Sequence, residues 1–362
     1  MGNIEVDVDL VIDVNGRKRG SGGVFPISIT GGSGSMRFSW VTCLLLAMLF
    51  SGGRGRSEED TPNVQTPTSP LERNTIFSVY GRAFGRAPIL GRLGQYPNME
   101  AMARDIPRWI EPIEKHNGEK GIVTAIHLIY AMAVPCDEKW TNKECLLYLD
   151  SGTNLVRDYI EPAAQRGWLV ILDSQIARSN PVAQVERMVK KGYLKFPNVH
   201  VALDPEFHAY PDRRIPGIPI GTLAAADINK AQEVLDSYVR TERIPQKKIL
   251  IVHQFGDANM RDGVPFMITD KGTLRTYPNV DLVINVDGFG QQEIKVVKYN
   301  RITDARAYPF IRFRGIKIFY PNKWEKNGHY DQPPLDMDQV FGLKPGPRGV
   351  RIEKPPDLVI IG

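Results

Sequence analysis

Eight runs of β-branched and other apolar residues, separated by amphipathic segments, constrain the fold of this 362-residue chain more than any other feature. Each run is apolar at nearly every position, as is typical of a strand that is covered on both faces. Such strands pair in parallel and need a crossover, usually a helix, between one strand and the next. The predicted strands cover residues 76–80, 122–130, 168–173, 199–204, 248–255, 280–287, 315–320 and 357–362.

Helical periodicity fills most of the intervals between these runs. The strongest candidates are 99–116, 154–167, 182–192 and 222–242, and weaker ones are 264–276, 292–305 and 335–342. Eight alternating units predict an α/β fold, a single-domain (β/α)8 TIM-type barrel over 74–362 whose last helix is missing. An open doubly wound sheet is the alternative, but no glycine-rich phosphate-binding turn follows the first strand.

The N-terminal region carries an export signal. Residues 36–53 join a basic start at Arg37, an apolar stretch and small residues, the pattern of a secretory signal peptide. A membrane-anchor helix is the alternative. Residues 1–35 are interpreted as a non-native upstream extension, and 54–73, rich in Pro, Ser and Thr, as a disordered linker. We therefore expect a protein at the cell-envelope exterior or secreted, without stable membrane insertion after cleavage.

The cysteines agree with export. Cys43 would leave with the signal peptide, and Cys136 and Cys145 remain, nine residues apart. In an oxidising compartment such a pair is predicted to form a disulfide, with two free thiols as the alternative. The net charge of +5 is mild, and no basic stripe is interleaved with aromatic residues, so a nucleic-acid partner is not expected.

Polar side chains accumulate where the predicted strands end. They are His127 in strand two, Asp173 and Gln175 after strand three, Asp204, Glu206 and His208 after strand four, His253 and Gln254 at the end of strand five, Asp287 at the end of strand six, and Tyr320 and Trp324 at and beyond the end of strand seven. Taken singly, the aspartates could be turn or cap residues, and His127 a core histidine. Together they predict an active or binding site, because catalytic residues of this fold lie at the carboxyl ends of the strands.

The pair Asp204-x-Glu206 suits cleavage of a glycosidic bond. Repulsion between neighbouring carboxylates raises the pKa of one of them, so it can protonate the leaving oxygen. We assign Glu206 as the acid and Asp204 as the group that tunes it. Asp173 or Asp287 would stabilise positive charge or activate water. The predicted contacts to a carbohydrate substrate are His127, Gln175, His208, His253, Gln254, Tyr320 and Trp324.

The Asp204-x-Glu206 pair resembles the motif that closes strand four in chitinase-like hydrolases and in barrel-fold muramidases. This similarity covers the pair and the barrel architecture, and it implies a glycosidase. The chain has Val199 and Ala202 where the chitinase pattern has aspartates, and its first strand lacks the muramidase aspartate.

Two other functions stay open. In the first, a metal-dependent hydrolase or isomerase would bind zinc or manganese through His127, Glu206, His208 and His253, with Asp173, Asp204 and Asp287 as further possible ligands. In the second, the barrel binds carbohydrate without catalysis. For the leading hypothesis, the glycosidase, we expect no cofactor and no metal.

Overall fold

The computed structural model describes residues 66–85, 91–136, 143–208, 217–256, 267–321 and 329–362. The predicted upstream extension, the signal peptide and the linker up to residue 65 lie outside these ranges, as does Trp324. Within them, no helix has the length and apolar character needed to cross a membrane.

Eight parallel strands close into a barrel, which confirms the predicted TIM-type fold. Each strand pairs with its successor in the chain, and the eighth pairs with the first, so the barrel has no open edge. The barrel strands are β1 (Asn74–Gly81), β2 (Gly121–Ala133), β3 (Leu169–Ser174), β4 (Val199–Leu203), β5 (Lys248–Gln254), β6 (Val280–Val286), β7 (Phe313–Ile318) and β8 (Leu358–Ile361). All eight overlap the predicted runs.

Among the described residues, three short strands lie outside the barrel. Leu146–Tyr148 pairs antiparallel with β2, and Leu223–Ala224 pairs in parallel with Ile268–Thr269.

Helices cover the outside of the barrel in most crossovers. They are α1 (Met99–Glu114), α2 (Glu161–Gln165, preceded by the π-helical turn Val156–Ile160), α3 (Pro181–Lys190), α4 (Ala225–Thr241), α5 (Gln292–Ile302) and α6 (Met337–Val340). A single α-turn covers Pro70–Arg73, and 3-10 turns cover Arg92–Gln95, Leu149–Ser151, Tyr193–Lys195, Pro205–Phe207, Lys271–Thr273 and Pro347–Gly349.

Local signals explain where several of these helices begin. Asn98 and Asn180 each cap the following helix by accepting a backbone N–H bond, and Asp336 forms a capping box with Gln339.

The predicted helix over 264–276 is wrong in its described part. Residues 267–276 contain the strand Ile268–Thr269 and the 3-10 turn Lys271–Thr273 instead of a helix. Asp270, between them, has a φ of 53°, a left-handed conformation that a right-handed helix cannot accommodate. The apolar residues Met267, Ile268 and Leu274 of this segment are buried without forming a helix.

The barrel interior is divided along its axis. Apolar side chains fill the part nearer the amino ends of the strands, which we call the lower interior: Ile76, Ala125, Leu169, Ile171, Ala202, Ile249, Ile251, Val283, Phe313, Leu358 and Ile360. Leu71, from the turn before β1, is fully buried against this cluster.

Cys136 and Cys145 form a disulfide bond, as predicted. The bond joins the chain beyond the carboxyl end of β2 to the residue that precedes the short strand Leu146–Tyr148. Disulfides persist in oxidising compartments, so this bond is compatible with an extracellular protein.

Candidate functional site

The upper interior of the barrel is charged. We use this name for seven side chains near the carboxyl ends of the strands, all of them buried: Tyr80, His127, Asp173, Asp204, His253, Asp287 and Lys317. Alternation along the strands accounts for their direction, because each lies two residues beyond an interior position such as Ile171, Ala202 or Ile251. The predicted residues His127, Asp173, Asp204, His253 and Asp287 are thus brought together.

Asp287 is held by two cationic groups. Its Oδ2 lies 3.0 Å from Lys317 Nζ and 2.8 Å from His253 Nδ1, and its Oδ1 accepts a hydrogen bond from the Gly288 N–H. Although burial opposes the effect, Lys317 and His253 hold the pKa of Asp287 well below its ordinary value. Asp287 is therefore a fixed anion at neutral pH.

His253 lies between two carboxylates. Its Nδ1 faces Asp287, and its Nε2 lies 3.4 Å from Asp173 Oδ2. Despite burial, these two negative charges raise the pKa of His253 to about 10. The Asn285 side-chain amide lies 3.1 Å from the same Nδ1. As long as no metal ion displaces its proton, the ring is an imidazolium that offsets the charges of Asp173 and Asp287.

Asp173 also approaches a second histidine. Its Oδ2 lies 3.3 Å from His127 Nε2, and all three side chains, Asp173, His127 and His253, are buried. Burial lowers the pKa of His127 to about 4, so this imidazole is neutral. Although burial opposes it, His253 and His127 hold the pKa of Asp173 below its ordinary value. These three residues lie deeper than Glu206, which is partly exposed.

The two carboxyl groups that follow β4, Asp204 and Glu206, have raised pKa values, in contrast to Asp173 and Asp287. Asp204 directly follows β4 and caps the next 3-10 turn, on which Glu206 lies and donates its N–H to Asp204 Oδ1. Burial, supported by the charges of Asp173 and Asp287 and opposed by His253, raises the pKa of Asp204 to about 7. Burial, followed by the charges of Asp204 and Asp287, raises the pKa of Glu206 to about 8.

The other predicted contacts do not converge on these carboxyls. His208 Nδ1 lies 2.5 Å from the Thr222 carbonyl oxygen, and Gln254 donates to the Gly256 carbonyl. Gln175 accepts from the Ala133 N–H, so it ties the end of β3 to β2. The Tyr320 hydroxyl donates to the Leu335 carbonyl, and its ring packs against α1. These residues shape the loops around the mouth of the barrel.

Lys317 is the residue that the sequence interpretation missed. Besides binding Asp287, its Nζ lies 3.6 Å from the centre of the Tyr80 ring, a cation–π contact. The signal that could have found it is the period-two alternation of β7, which turns Phe313, Gly315 and Lys317 to the interior. Gly315, the interior residue before Lys317, has no room for a side chain, because a Cβ there would lie 2.6 Å from Asn285 Oδ1.

Comparison with known proteins adds no name to this site. No protein-family model matches the chain, and no curated protein matches it. The similarity to chitinase-like hydrolases and barrel-fold muramidases thus rests on Asp204-x-Glu206 and the barrel alone. Since one barrel architecture hosts many unrelated reactions, the function must be argued from the side chains of the site.

Proposed function

We propose that the protein is an exported glycoside hydrolase that acts on an oligo- or polysaccharide at the carboxyl end of the barrel. One observation carries this proposal. The pKa of Glu206 is raised to about 8, while the pKa of Asp287, whose charge contributes to that shift, is held below its ordinary value. Carboxyl pairs whose pKa values are pushed apart divide into an acid and an anion, which is the division that glycoside cleavage requires.

The reaction follows from these two protonation states. The Glu206 carboxylic acid donates its proton to the glycosidic oxygen as the bond from that oxygen to the anomeric carbon breaks. Asp287, an anion held in place by Lys317 and His253, stabilises the positive charge that develops on the sugar. Water then adds to the anomeric carbon and gives a proton to the Glu206 carboxylate, which restores the acid.

The remaining predicted residues take supporting roles in this scheme. Asp204 tunes the acid through its charge and through the bond from the Glu206 N–H. Asp173 lies deeper and acts on His253 instead of on the sugar. Of the predicted substrate contacts, His208 is the one closest in sequence to the acid and is partly exposed. The predicted signal peptide, together with the disulfide, supports export to where a carbohydrate polymer would be met.

A metal-dependent hydrolase or isomerase is the second candidate, because one observation favours it: two histidines and an aspartate converge in the buried part of the site. In that enzyme a metal-bound water would replace the unassisted water as nucleophile. A carbohydrate-binding barrel would instead show affinity for a sugar without turnover.

The test is a Glu206→Gln variant assayed on a panel of polysaccharides and on aryl glycosides of the same sugars. We expect the variant to lose about 10²- to 10⁴-fold in kcat on the polysaccharide, because no group protonates the leaving oxygen. It should lose less of its rate on an aryl glycoside, because departure of that leaving group needs no proton. Glu233→Gln, an exposed substitution on α4, is the matched control and should change neither rate.

Equal polysaccharide rates for the wild type and Glu206→Gln would refute the acid role. Sugar affinity without turnover in the wild-type protein would establish the binding barrel instead.

A further inference from the structure

The deepest part of the upper interior contains polar atoms that make no hydrogen bond. Of the buried side-chain atoms without a hydrogen-bond partner in the described part of the chain, five lie together here: both ring nitrogens of His127, both carboxylate oxygens of Asp173 and Nε2 of His253. All three side chains are buried, at 0 % exposure for each residue. Buried polar groups in native proteins are almost always paired, so five unpaired atoms in one place indicate a missing partner.

The short distances within this group do not supply that partner. The distances from Asp173 Oδ2 to the two imidazole Nε2 atoms, 3.3 Å and 3.4 Å, are those of ion pairs. The side chains are nevertheless not oriented for hydrogen bonds, since the same atoms lack bonding partners. A buried carboxylate without well-directed donors is costly, and a cation placed between the three groups would remove that cost.

The spacing of the three donors fits a small divalent cation. Zinc bonds to imidazole nitrogen and carboxylate oxygen at about 2.0–2.1 Å, and tetrahedral geometry then separates neighbouring ligand atoms by about 3.3 Å. The two ligand pairs that include Asp173 have this separation, and the ligand atoms of all three residues lie within 4.8 Å of one another. They come from three different strands, β2, β3 and β5, which fix them independently of the loops.

The contact between His253 and Asp287 resembles the one that orients a metal-binding histidine. Its Nδ1 is 2.8 Å from Asp287 Oδ2, which fixes the proton on that nitrogen and leaves Nε2 facing Asp173 and His127. A histidine that binds a metal typically donates its other N–H to a carboxylate in this way, which orients the ring and raises its basicity.

We infer that His127, Asp173 and His253 bind one divalent metal ion of the zinc class, through the two Nε2 atoms and one carboxylate oxygen, with a water as fourth ligand. The inferred set differs from the one expected from the sequence, because Glu206 lies on the turn after β4 and His208 Nδ1 faces the Thr222 carbonyl. This inference replaces the expectation that the glycosidase holds no metal, and it does not depend on which bond is cleaved.

The experiment measures metal binding without any substrate. The full chain, purified without added chelator, is analysed for bound metal, and the metal-free protein is titrated with cobalt(II). We expect about one equivalent of zinc, and an intense visible cobalt spectrum that is typical of four nitrogen and oxygen ligands. X-ray absorption at the zinc edge of the wild-type protein should show two imidazoles and no sulfur, a result that requires no variant to fold.

Variants then locate the ion. Asp173→Asn and His127→Gln should abolish the cobalt spectrum, and Asp287→Asn, behind His253, should weaken binding by about 10- to 100-fold. His200→Gln is the matched control, because His200 is another fully buried barrel histidine outside the group and should leave the spectrum unchanged. A wild-type protein that binds neither zinc nor cobalt would overturn the inference and leave the His253 imidazolium as the neutralising cation. Unchanged cobalt binding by folded Asp173→Asn would overturn it as well.

Discussion

The lower and upper halves of the barrel interior are built from alternate residues of the same strands, but they meet opposite demands. In the lower half, residues such as Ile249 and Leu358 remove apolar area from water and stabilise the fold. In the upper half, the carboxylates Asp173 and Asp287 lose water, and His253 and Lys317 offset their charges. The apolar packing at one end therefore makes the strands rigid, and the same strands hold buried charged side chains at the other end.

Two buried polar residues at the amino end, Lys248 and His200, have different bonding partners from the charged residues at the carboxyl end. At the amino end, Lys248 donates to the Phe196 and Val199 carbonyls, and His200 accepts from the Ile249 N–H, so these side chains bond to the backbone. At the carboxyl end, His253 and Asp287 bond mainly to other charged side chains. Backbone bonding fixes a position, whereas a network of charged side chains can change its protonation or accept a ligand.

The largest expected effect on stability comes from replacing Lys317, a buried cationic side chain of the upper interior. Lys317→Met leaves Asp287 buried with only His253 as its charged partner, and we expect a loss of about 3–5 kcal/mol in the free energy of unfolding. Urea denaturation measures it. The double variant Lys317→Met/Asp287→Asn removes both charges and should recover part of the loss. A single variant as stable as the wild type would mean that the charges of the upper half are not coupled.

A second, smaller effect is the pH dependence of stability that Glu206 contributes. Its pKa is raised in the folded protein from an ordinary 4.5 to about 8, so folding favours the protonated form. This contribution is fully present below pH 4.5 and is lost as the pH rises through about 8. The free energy of unfolding of the wild type and of Glu206→Gln is measured across pH 4–9. As the pH rises, the wild type should lose stability relative to the variant by up to about 1.4 kcal/mol per pH unit.

Parallel unfolding curves for these two proteins over that pH range would show that Glu206 titrates normally. The effect on Glu206 that is assigned to burial and to the charges of Asp204 and Asp287 would then be wrong.

The smallest effect belongs to the lower half. Ile249→Val removes one methyl group from the apolar cluster and should cost about 0.5–1.5 kcal/mol of unfolding free energy. Because Ile249 lies at the far end from the charged residues, turnover and metal binding per folded molecule should not change. Urea denaturation together with the assays above checks both parts. A marked change in turnover or metal binding would show that the two halves are mechanically coupled.

Sequence patterns predicted the barrel and much of its charged end for a definite reason. Apolar runs buried on both faces identify strands, and polar residues at their carboxyl ends identified the charged part of this fold. Period-two alternation ends with each strand. Glu206 lies on a 3-10 turn and Gln175 follows a strand terminus, where local hydrogen bonds set the side-chain directions.

Two further features were out of reach for other reasons. A lysine in an apolar strand, such as Lys317, is usually expected at an edge with its ammonium group in water, so its burial against Asp287 was not anticipated. The unpaired atoms of His127 and Asp173 depend on the orientation of rings and carboxylates across three strands, which no sequence spacing encodes.

The most direct test of the central claim is the titration of the Glu206 carboxyl group itself, because it requires no knowledge of the substrate. Carbon-13 NMR of protein labelled at the glutamate carboxyls, with Glu206→Gln used to assign the signal, follows protonation at this one group. We expect a midpoint at about pH 8, so that the acid form predominates at neutral pH. A midpoint near the ordinary value of 4.5 would contradict the acid role and with it the proposed hydrolase.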